Sequence, residues 1–313
     1  MIVINDGGTV PFDWDSLSKI SDRVRVFHTT NRSGHSACRQ LASTISTCEW
    51  LLFTDAHMEF EPRWFESFAI QTDLHDSKTL FCGPFISTTP EWEREGQPPN
   101  IFWGARLYYW ERNGEALDVL SYKPIARPPE IDKVGWSFEV PCVIGANYFI
   151  RRDWFEAIDG LKCFYGWSAQ DEFMLSLKTW LFGGTVKLIP DVRLRHVMHR
   201  TGVGPTGYSK TMQRGELLYN RLSTAYQIFP EHTYRPFLTA LPTTGDDDTF
   251  ELALRMITER REALDAARCY FTRNIRRGHE WLCKKFDLFH PLDLSAAQYM
   301  FAKPTSLSRS FAA

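Results

Sequence analysis

The stretch Trp50-Leu51-Leu52-Phe53-Thr54-Asp55-Ala56-His57 is an apolar run that ends at an acid, with a histidine two residues later. Such a run predicts a buried strand with polar side chains at its carboxyl end, where ligands bind in open α/β sheets. Residues i and i+2 of an extended segment point the same way, so Asp55 and His57 can approach one ion. An oxygen and nitrogen ligand pair suits Mn²⁺ or a similar divalent cation. The alternative interpretation is an Asp-x-His loop without a ligand.

The residues before this stretch predict alternating strands and helices. Apolar runs at 1–4 and 24–27 are typical of short strands, and 34–46 has the periodicity of a helix. Together with the strand at Trp50 they form a β-α-β unit, which implies a parallel sheet. Asp6 is a candidate for binding a ribose hydroxyl or for forming a turn. Arg39 is a candidate for a phosphate contact or for a solvated surface charge.

The composition is that of an ordinary globular protein. The chain has 313 residues, of which 43% are hydrophobic and 24% charged, so it can bury a large core. A formal net charge of −2 argues against a general polyanion-binding protein. No segment resembles a signal peptide, and no apolar run reaches membrane-spanning length. The seven cysteines are dispersed without CxxC spacing, so we expect reduced thiols and a cytoplasmic location.

A second polar block precedes a predicted helix. Residues 173–180 are amphipathic, and Gly183-Gly184 stops the helix that they predict. Asp171 and Glu172 therefore stand at a helix N-terminus, where the helix dipole favours negative charge. The two acids are candidates for catalysis. Helix capping is their alternative role, and it is compatible with catalysis.

These motifs resemble those of family 2-like glycosyltransferases with the GT-A fold, and most resemble the polypeptide N-acetylgalactosaminyltransferase branch. The positions that match, in order, are Gly34, Arg39, Asp55-Ala56-His57, Gly145-Ala146, Trp167, Asp171-Glu172, Trp180, Gly183-Gly184, Pro190 and His196. The resemblance covers residues 1–208. It implies a metal site of Asp55, His57 and His196 that holds Mn²⁺ or Mg²⁺, and a nucleotide-sugar co-substrate in which UDP is the expected nucleotide.

The resemblance also implies roles for other residues. The cation is expected to neutralise the donor diphosphate and to assist the departure of UDP. Arg39, with Arg200 or Lys210, is expected to contact the phosphates, and the glycine-rich loop 201–208 suits a lid. Asp171 or Glu172 is expected to orient or deprotonate the acceptor hydroxyl. The full set expected to bind the donor is Asp6, Arg39, Asp55, Trp167, Arg200 and Tyr208.

The sequence departs from the family pattern in three respects. The family has a strand and a helix ahead of the segment with which this chain begins, and that unit contacts the nucleobase. One extra residue separates Trp167 from the acids, and no lectin-like repeat follows. We therefore expect the base pocket to be supplied elsewhere. The acceptor class and the choice between retention and inversion stay open.

The predicted fold class is α/β, with a GT-A (Rossmann-like) mixed, mostly parallel sheet flanked by helices. We expect a catalytic domain at 1–212 and a helical C-terminal extension at 213–313. A long helix predicted at 250–277 is rich in arginine, with Tyr270 and Phe271 interleaved. Nucleic acid is one partner for such a helix. Acids at Glu259, Glu262 and Asp265 favour instead an amphipathic helix packed on the catalytic domain.

The sequence is compatible with three functions. The first is a metal-dependent glycosyltransferase that moves a sugar from a nucleotide-sugar to a hydroxyl of a protein or glycan. The second directs the same chemistry at a hydroxymethylated DNA base. The third is a non-catalytic module that binds a nucleotide-sugar. Asp55, His57 and His196 argue against the third, because a decayed enzyme has no need of three metal ligands.

Overall fold

The structure is a computed structural model of the whole chain. It describes residues 1–8, 12–88, 99–113, 116–125, 137–145, 147–166, 170–192, 194–197, 210–230, 234 and 247–288. Within these ranges, helices are interspersed among strands up to Val197, with seven strands in succession between Thr79 and Arg151, and helices follow one another from Lys210 onward.

Thirteen strands lie in the described ranges. Strands β1 to β4 are Ile2–Asp6, Arg25–Thr29, Trp50–Thr54 and Met58–Phe60, and β5 to β8 are Thr79–Cys82, Phe85–Thr88, Asn100–Phe102 and Ala105–Asn113. Strands β9 to β13 are Ala116–Pro124, Phe138–Glu139, Asn147–Arg151, Thr185–Leu188 and Leu194–Val197. They form four sheets, with strand orders β1-β2, β10-β12-β5-β11-β3, β4-β13-β6-β7 and β8-β9.

The five-stranded sheet contains the strand that precedes Asp55. Strand β11 lies between β3 and β5, with Tyr148 opposite Phe53 on one side and Cys82 on the other, and both pairings are antiparallel. The predicted α/β class with a mixed sheet is confirmed. The expectation of a mostly parallel sheet is wrong here, because only the β12–β5 pairing among its four is parallel. The sequence of an apolar strand does not by itself show whether its partner strand runs parallel or antiparallel to it.

Strands β1 and β2 form a separate parallel pair, from Ile2 opposite Arg25 to Asp6 opposite Thr29. Helix α1 (His35–Ile45) follows β2 and leads into β3, as predicted. The prediction that β2 and β3 share one parallel sheet is wrong, because they lie in different sheets in the described part of the chain. Strand β3 pairs instead with β11, which is of equal length and has the apolar centre Tyr148-Phe149-Ile150.

The four-stranded sheet brings two distant parts of the sequence together. Strand β4 begins directly after His57 and pairs with β13, so that Met58 lies opposite His196. The N–H of Val197 donates to the carbonyl oxygen of His57 at 3.0 Å. This pairing places His57 and His196 side by side although 139 positions separate them in the sequence.

The helices flank the sheets and make up the C-terminal part of the chain. After α1 they are α2 (Trp64–Leu74), α3 (Arg152–Ala157), α4 (Asp171–Leu181), α5 (Lys210–Ile228), α6 (Asp247–Glu259), α7 (Arg261–Asn274) and α8 (His279–Phe286). A 3-10 helix spans Trp14–Lys19. Helix α4 ends before Gly183 as predicted, at a φ of 99° that glycine adopts without strain. No helix in the described ranges is both long and apolar enough to cross a lipid bilayer.

The single helix predicted at 250–277 is instead two helices, α6 and α7, which meet at Arg260. The guanidinium of Arg260 lies 4.2 Å from the ring centroid of Tyr165, in the loop that leads to α4. The helix periodicity continues across this position, so the sequence alone does not predict the break between α6 and α7. The contact of Arg260 with Tyr165 coincides with the break.

One hydrophobic core joins the sheet to the C-terminal helices. The same buried cluster contains Phe53 of β3, Leu177 of α4 and Phe271 of α7. The packed amphipathic helix favoured by the sequence is therefore present. Helix α5 runs across residue 212, where the boundary between two domains was predicted. The division into domains at 1–212 and 213–313 stays a prediction.

Candidate active site

Asp55, His57 and His196, here called the metal triad, lie together at the carboxyl end of β3. One potential ligand atom from each lies within 4.8 Å of the others. Nε2 of His57 is 2.9 Å from Nε2 of His196, which is 3.3 Å from Oδ2 of Asp55. Two atoms that bind one ion at about 2.1 Å lie roughly 3 Å apart, so the spacing fits one cation. One oxygen and two nitrogen ligands suit a divalent ion such as Mn²⁺.

The neighbouring elements fix the metal triad from two sides. Asp55 follows the last residue of β3, and the β4–β13 pairing holds His57 against His196. The ring of Phe85 lies 4.9 Å from the ring of His196 and limits its movement. The side chain of His196 is 12% exposed and that of Asp55 is 29% exposed. The three side chains of the triad are therefore only partly buried.

Arg39 connects the metal triad to the acids of α4. It is buried on α1, and its Nη2 donates to Oδ1 of Asp55 at 2.5 Å. Its Nη1 donates to Oδ2 of Asp171 and to the hydroxyl of Tyr148. Burial disfavours the charged guanidinium, yet Tyr148, Asp171 and Asp55 raise the pKa of Arg39 above its ordinary value. The structure thus shows a carboxylate-bridging cation, and the predicted contact with donor phosphates stays a prediction.

Asp171 and Glu172 occupy the first turn of α4 and are both buried. Burial opposes ionisation of Asp171, but Arg39 and His35 hold its pKa well below the ordinary range. Burial and the adjacent charge of Asp171 raise the pKa of Glu172 well above its ordinary value of 4.5. The pKa values of two neighbouring carboxyl groups are therefore driven apart, with that of Asp171 lowered and that of Glu172 raised.

Gly145 makes room for the side chain of Glu172. A β-carbon at Gly145 would collide with Oε1 of Glu172, so this close approach depends on the absence of a side chain at position 145. The hydroxyl of Tyr148 lies 2.9 Å from the same Oε1 and 3.3 Å from Oδ2 of Asp171. Tyr148 therefore links the two acids to each other and, through Arg39, to the metal triad.

Asp6 fastens the loop that leads into α1. Its carboxylate accepts the backbone N–H groups of Ser33 and Gly34, each at 2.7 Å, and the hydroxyl of Thr29 at 3.1 Å. These contacts give Asp6 a structural role. Its predicted role in binding the ribose stays a prediction.

Three other predicted site residues, Trp167, Arg200 and Tyr208, are outside the described residues. Lys210 is the first residue of α5. Two residues in the site were not singled out from the sequence. They are Tyr148, whose only signal was a hydroxyl within an apolar strand, and His35, whose Nε2 lies 3.7 Å from Oδ1 of Asp171.

The fold and the site define a GT-A glycosyltransferase domain. The family model described as "Glycosyl transferase family 2" matches residues 1–159, about half of the chain. The chain therefore belongs to glycosyl transferase family 2.

Within that family, the chain is similar to polypeptide N-acetylgalactosaminyltransferases. It is 27% identical over 181 residues to polypeptide N-acetylgalactosaminyltransferase 10 of Homo sapiens, which covers 56% of this chain and 28% of the relative. It is 27% identical over 210 residues to polypeptide N-acetylgalactosaminyltransferase 8 of Drosophila melanogaster, which covers 63% of this chain and 32% of the relative. The chain thus spans about a third of the length of these curated relatives.

A solved structure shares the fold. The crystal structure of GalNAc-T7 with UDP, GalNAc and Mn²⁺ aligns with a TM-score of 0.62 at 16% identity, and covers 91% of this chain and 50% of that chain. At this level of identity the similarity establishes the fold. Together with the curated relatives, it confirms the predicted resemblance to this branch.

Proposed function

We propose that the chain is a metal-dependent glycosyltransferase that moves a sugar from a UDP-sugar to a hydroxyl of a protein or glycan acceptor. The observation that carries the proposal is the convergence of Asp55, His57 and His196 on one point from separate parts of the sequence. Support comes from the polypeptide N-acetylgalactosaminyltransferase relatives and from GalNAc-T7, whose solved structure contains UDP and Mn²⁺.

The ligands of the metal triad suit Mn²⁺ or Mg²⁺ as cofactor. A bound divalent cation supplies Lewis-acid stabilisation of the departing diphosphate. Burial disfavours ionisation of Asp55, but His196 and Arg39 lower its pKa, so it stays anionic as a ligand must. Arg39 holds Oδ1 of Asp55, and Oδ2 faces His196. Arg39 therefore orients the carboxylate toward the histidines.

The remaining residues are assigned as follows. Asp171 and Glu172 are proposed to serve the acceptor side, and Asp171 supplies the permanent negative charge there. Donor binding is proposed for Asp6, Arg39, Asp55, Trp167, Arg200 and Tyr208. We also propose a cytoplasmic location, which the lack of disulfide bonds among the seven cysteines supports.

The alternative with a hydroxymethylated DNA base as acceptor rests on the basic C-terminal helices. Several cations of these helices have partners within the chain. The guanidinium of Arg277 donates to carbonyl oxygens at the end of α4, Arg268 donates to that of Phe229, and Lys285 pairs with Glu139. These contacts favour a packing role, so a protein or glycan acceptor is the better supported proposal.

A donor panel tests the proposal. The full chain is incubated with a series of UDP-sugars in Mn²⁺ or in EDTA, and released UDP is measured with water alone, a peptide, a glycan or hydroxymethylated DNA. We expect release that requires Mn²⁺ and that one acceptor accelerates. Calorimetry that detects no binding of UDP, with Mn²⁺ present, would refute the glycosyltransferase and the nucleotide-binding module together. Binding without turnover of any donor would leave the module.

A further inference from the structure

Tyr148 lies on β11, beside the strand that precedes Asp55. Strand β11 is paired on both sides, so that Tyr148 has Phe53 of β3 opposite it on one side and Cys82 of β5 on the other. The side chain is fully buried, and its ring centroid lies 6.4 Å from that of Phe53. The sheet and the core therefore fix the position of the phenol ring.

The hydroxyl of Tyr148 lies between a cation and a carboxyl group. It accepts from Nη1 of Arg39 at 3.1 Å and donates to Oε1 of Glu172 at 2.9 Å. Burial raises the pKa of Tyr148 well above its ordinary value of 10, and Asp171 and Glu172 raise it further although Arg39 lowers it. The hydroxyl therefore keeps its hydrogen. The guanidinium carbon of Arg39 also lies 5.1 Å from the ring centroid, so Tyr148 contacts Arg39 through both its oxygen and its ring.

These contacts fix which nitrogen of Arg39 meets which partner. Nη1 is turned toward Tyr148 and Asp171, and Nη2 donates to Oδ1 of Asp55 at 2.5 Å. Because a guanidinium is planar and rigid, holding one of its nitrogens fixes the direction of the other. With Oδ1 of Asp55 occupied by Arg39, Oδ2 is the oxygen that lies 3.3 Å from Nε2 of His196. Groups that hydrogen-bond to a metal ligand orient that ligand and raise the affinity of the site for its metal.

We propose that Tyr148 is a positioning residue of the metal site, which holds Arg39 so that Arg39 turns Oδ2 of Asp55 toward the cation. This inference rests on the proposed metal-dependent function. Tyr148 acts through Arg39 and is one contact further from the cation than Arg39 is. A hydroxyl that only stabilised the core would affect unfolding and leave the affinity for the cation unchanged, so the two roles can be told apart by experiment.

Removal of the hydroxyl tests the proposal. Tyr148→Phe deletes one oxygen and keeps the ring in the core. Mn²⁺ is titrated into the full chain with UDP at a fixed concentration, and unbound Mn²⁺ is measured by electron paramagnetic resonance. We expect the Kd for Mn²⁺ to rise about tenfold, the lower end of the effect that loss of a partner of a metal ligand typically has.

Tyr219→Phe is the matched control. Tyr219 on α5 is also fully buried, and its hydroxyl donates to the carbonyl oxygen of Cys163 at 2.7 Å. Both variants lose a buried hydrogen bond, so both should unfold at a lower urea concentration than wild type. Only Tyr148→Phe should bind Mn²⁺ more weakly. A Kd for Mn²⁺ in Tyr148→Phe within about twofold of that in Tyr219→Phe would overturn the positioning role and leave the proposed function standing.

Arg39→Lys tests whether Tyr148 acts through Arg39. Lysine keeps the charge but has one nitrogen, so it cannot reproduce the planar fork between Asp55, Tyr148 and Asp171. Addition of Tyr148→Phe to Arg39→Lys should therefore raise the Kd for Mn²⁺ by no more than about twofold, because residues that act through one contact are not additive. A further rise of about tenfold would show that Tyr148 does not act through Arg39 and would overturn the inference alone. A wild-type chain that binds neither Mn²⁺ nor UDP would overturn the proposed function as well.

Discussion

The centre around Arg39 and the C-terminal region around Arg277 both place arginines among polar groups, yet they use them differently. Arg39 lies between two carboxylates, Asp55 and Asp171, near the metal triad. Arg277 donates to the carbonyl oxygens of Gly183, Gly184 and Trp180, at 3.0, 2.8 and 3.4 Å. The first guanidinium organises charged groups beside the metal triad. The second satisfies the free carbonyl groups at the end of a helix.

Among the described residues, buried polar atoms without a hydrogen-bond partner occur in both regions, and among the C-terminal helices they include Nε of Arg260 and the side-chain amide of Gln227. Near Arg39, Oδ1 of Asp171 and Oε2 of Glu172 are buried without a hydrogen-bond partner in the described residues. In the C-terminal helices, Arg268 donates to the carbonyl oxygen of Phe229, and its guanidinium also lies 4.6 Å from the ring centroid of Tyr226. Unmet hydrogen bonding therefore does not separate the regions, whereas buried carboxylates with perturbed pKa values are found near Arg39 and are typical of functional sites. A high content of arginine is therefore a poor guide to function unless the partners are known.

Helix α4 connects the two regions. Its first turn carries Asp171 and Glu172, and the carbonyl oxygens of Trp180 and Leu181 in its last turn accept from Arg277. The ring of Trp180 lies 6.0 Å from Trp281 of α8, and Lys285 lies 5.2 Å from the ring of Trp180. The C-terminal helices therefore brace the far end of the helix that presents the acids.

Substitution of a metal-triad residue should have the largest effect on turnover. Asp55→Ala removes a ligand and should lower UDP release by roughly a thousandfold or more, because Lewis-acid stabilisation amounts to several kcal/mol. Asp15→Ala is the matched control, since Asp15 faces His28 at 3.6 Å much as Asp55 faces His196 at 3.3 Å. Turnover in Asp55→Ala within tenfold of wild type, or unchanged by EDTA, would contradict the prediction.

Arg39 should matter most for stability. Arg39→Met leaves Asp55 and Asp171 without their shared cation, so the free energy of unfolding at pH 7 should fall by about 3–5 kcal/mol. The low pKa of Asp171 stabilises the fold above the ordinary carboxyl range, and this contribution is lost as pH falls through the folded pKa. The deficit in Arg39→Met should therefore shrink on acidification.

Urea unfolding at several pH values measures that deficit. Arg273→Met on α7 is the control, because Arg273 is exposed, and its substitution should change stability by no more than about 0.5 kcal/mol. A deficit in Arg39→Met that is equally small would remove the contrast between the two regions. A deficit that stays constant with pH would show that Asp171 does not depend on Arg39.

Arg277 should affect stability but leave the chemistry intact. Arg277→Gln loses charge-assisted hydrogen bonds to carbonyl oxygens, so unfolding should become easier by about 2 kcal/mol. Binding of UDP with Mn²⁺ should be unchanged when measured calorimetrically on the folded variant. Arg276→Gln, at the exposed neighbouring position, should match wild type in both measurements. Weaker UDP binding in Arg277→Gln alone would indicate that the C-terminal region contributes to the site.

Glu172 should give the smallest effect at pH 5, and one that grows with pH. Its raised pKa means that the folded chain keeps a proton which the unfolded chain loses above pH 4.5. The contribution of Glu172 to wild-type stability is therefore greatest below that pH and declines by about 1.4 kcal/mol per pH unit up to the folded pKa. Glu172→Gln has no such loss, so its stability relative to wild type should rise from pH 5 to 8 in urea unfolding. Parallel curves, like those expected for the exposed Glu156→Gln, would show that Glu172 is ionised.

The sequence predicted correctly the features that depend on residues close together in the chain. The period of three to four residues located α1, and a glycine pair located the end of α4. The resemblance placed His196 beside Asp55, and the structure brings them within 3.3 Å. The pattern was uninformative about strand direction, because β3 and β11 are apolar on both faces. Arg260 illustrates the same limit in a helix, where the break coincides with a contact to a distant tyrosine.

The sequence by itself determined the types of ligand in the metal triad, the family and the acidic start of α4, because each depends on residue identity at short spacing. Tertiary structure decided what those residues do. Asp171 meets Arg39 across 132 positions of sequence, and that contact lowers the pKa of Asp171, while burial raises the pKa of Glu172. His35 gains its place beside Asp171 in the same way. Ionisation and orientation depend on burial and on neighbouring charge, and only the folded chain brings those neighbours together.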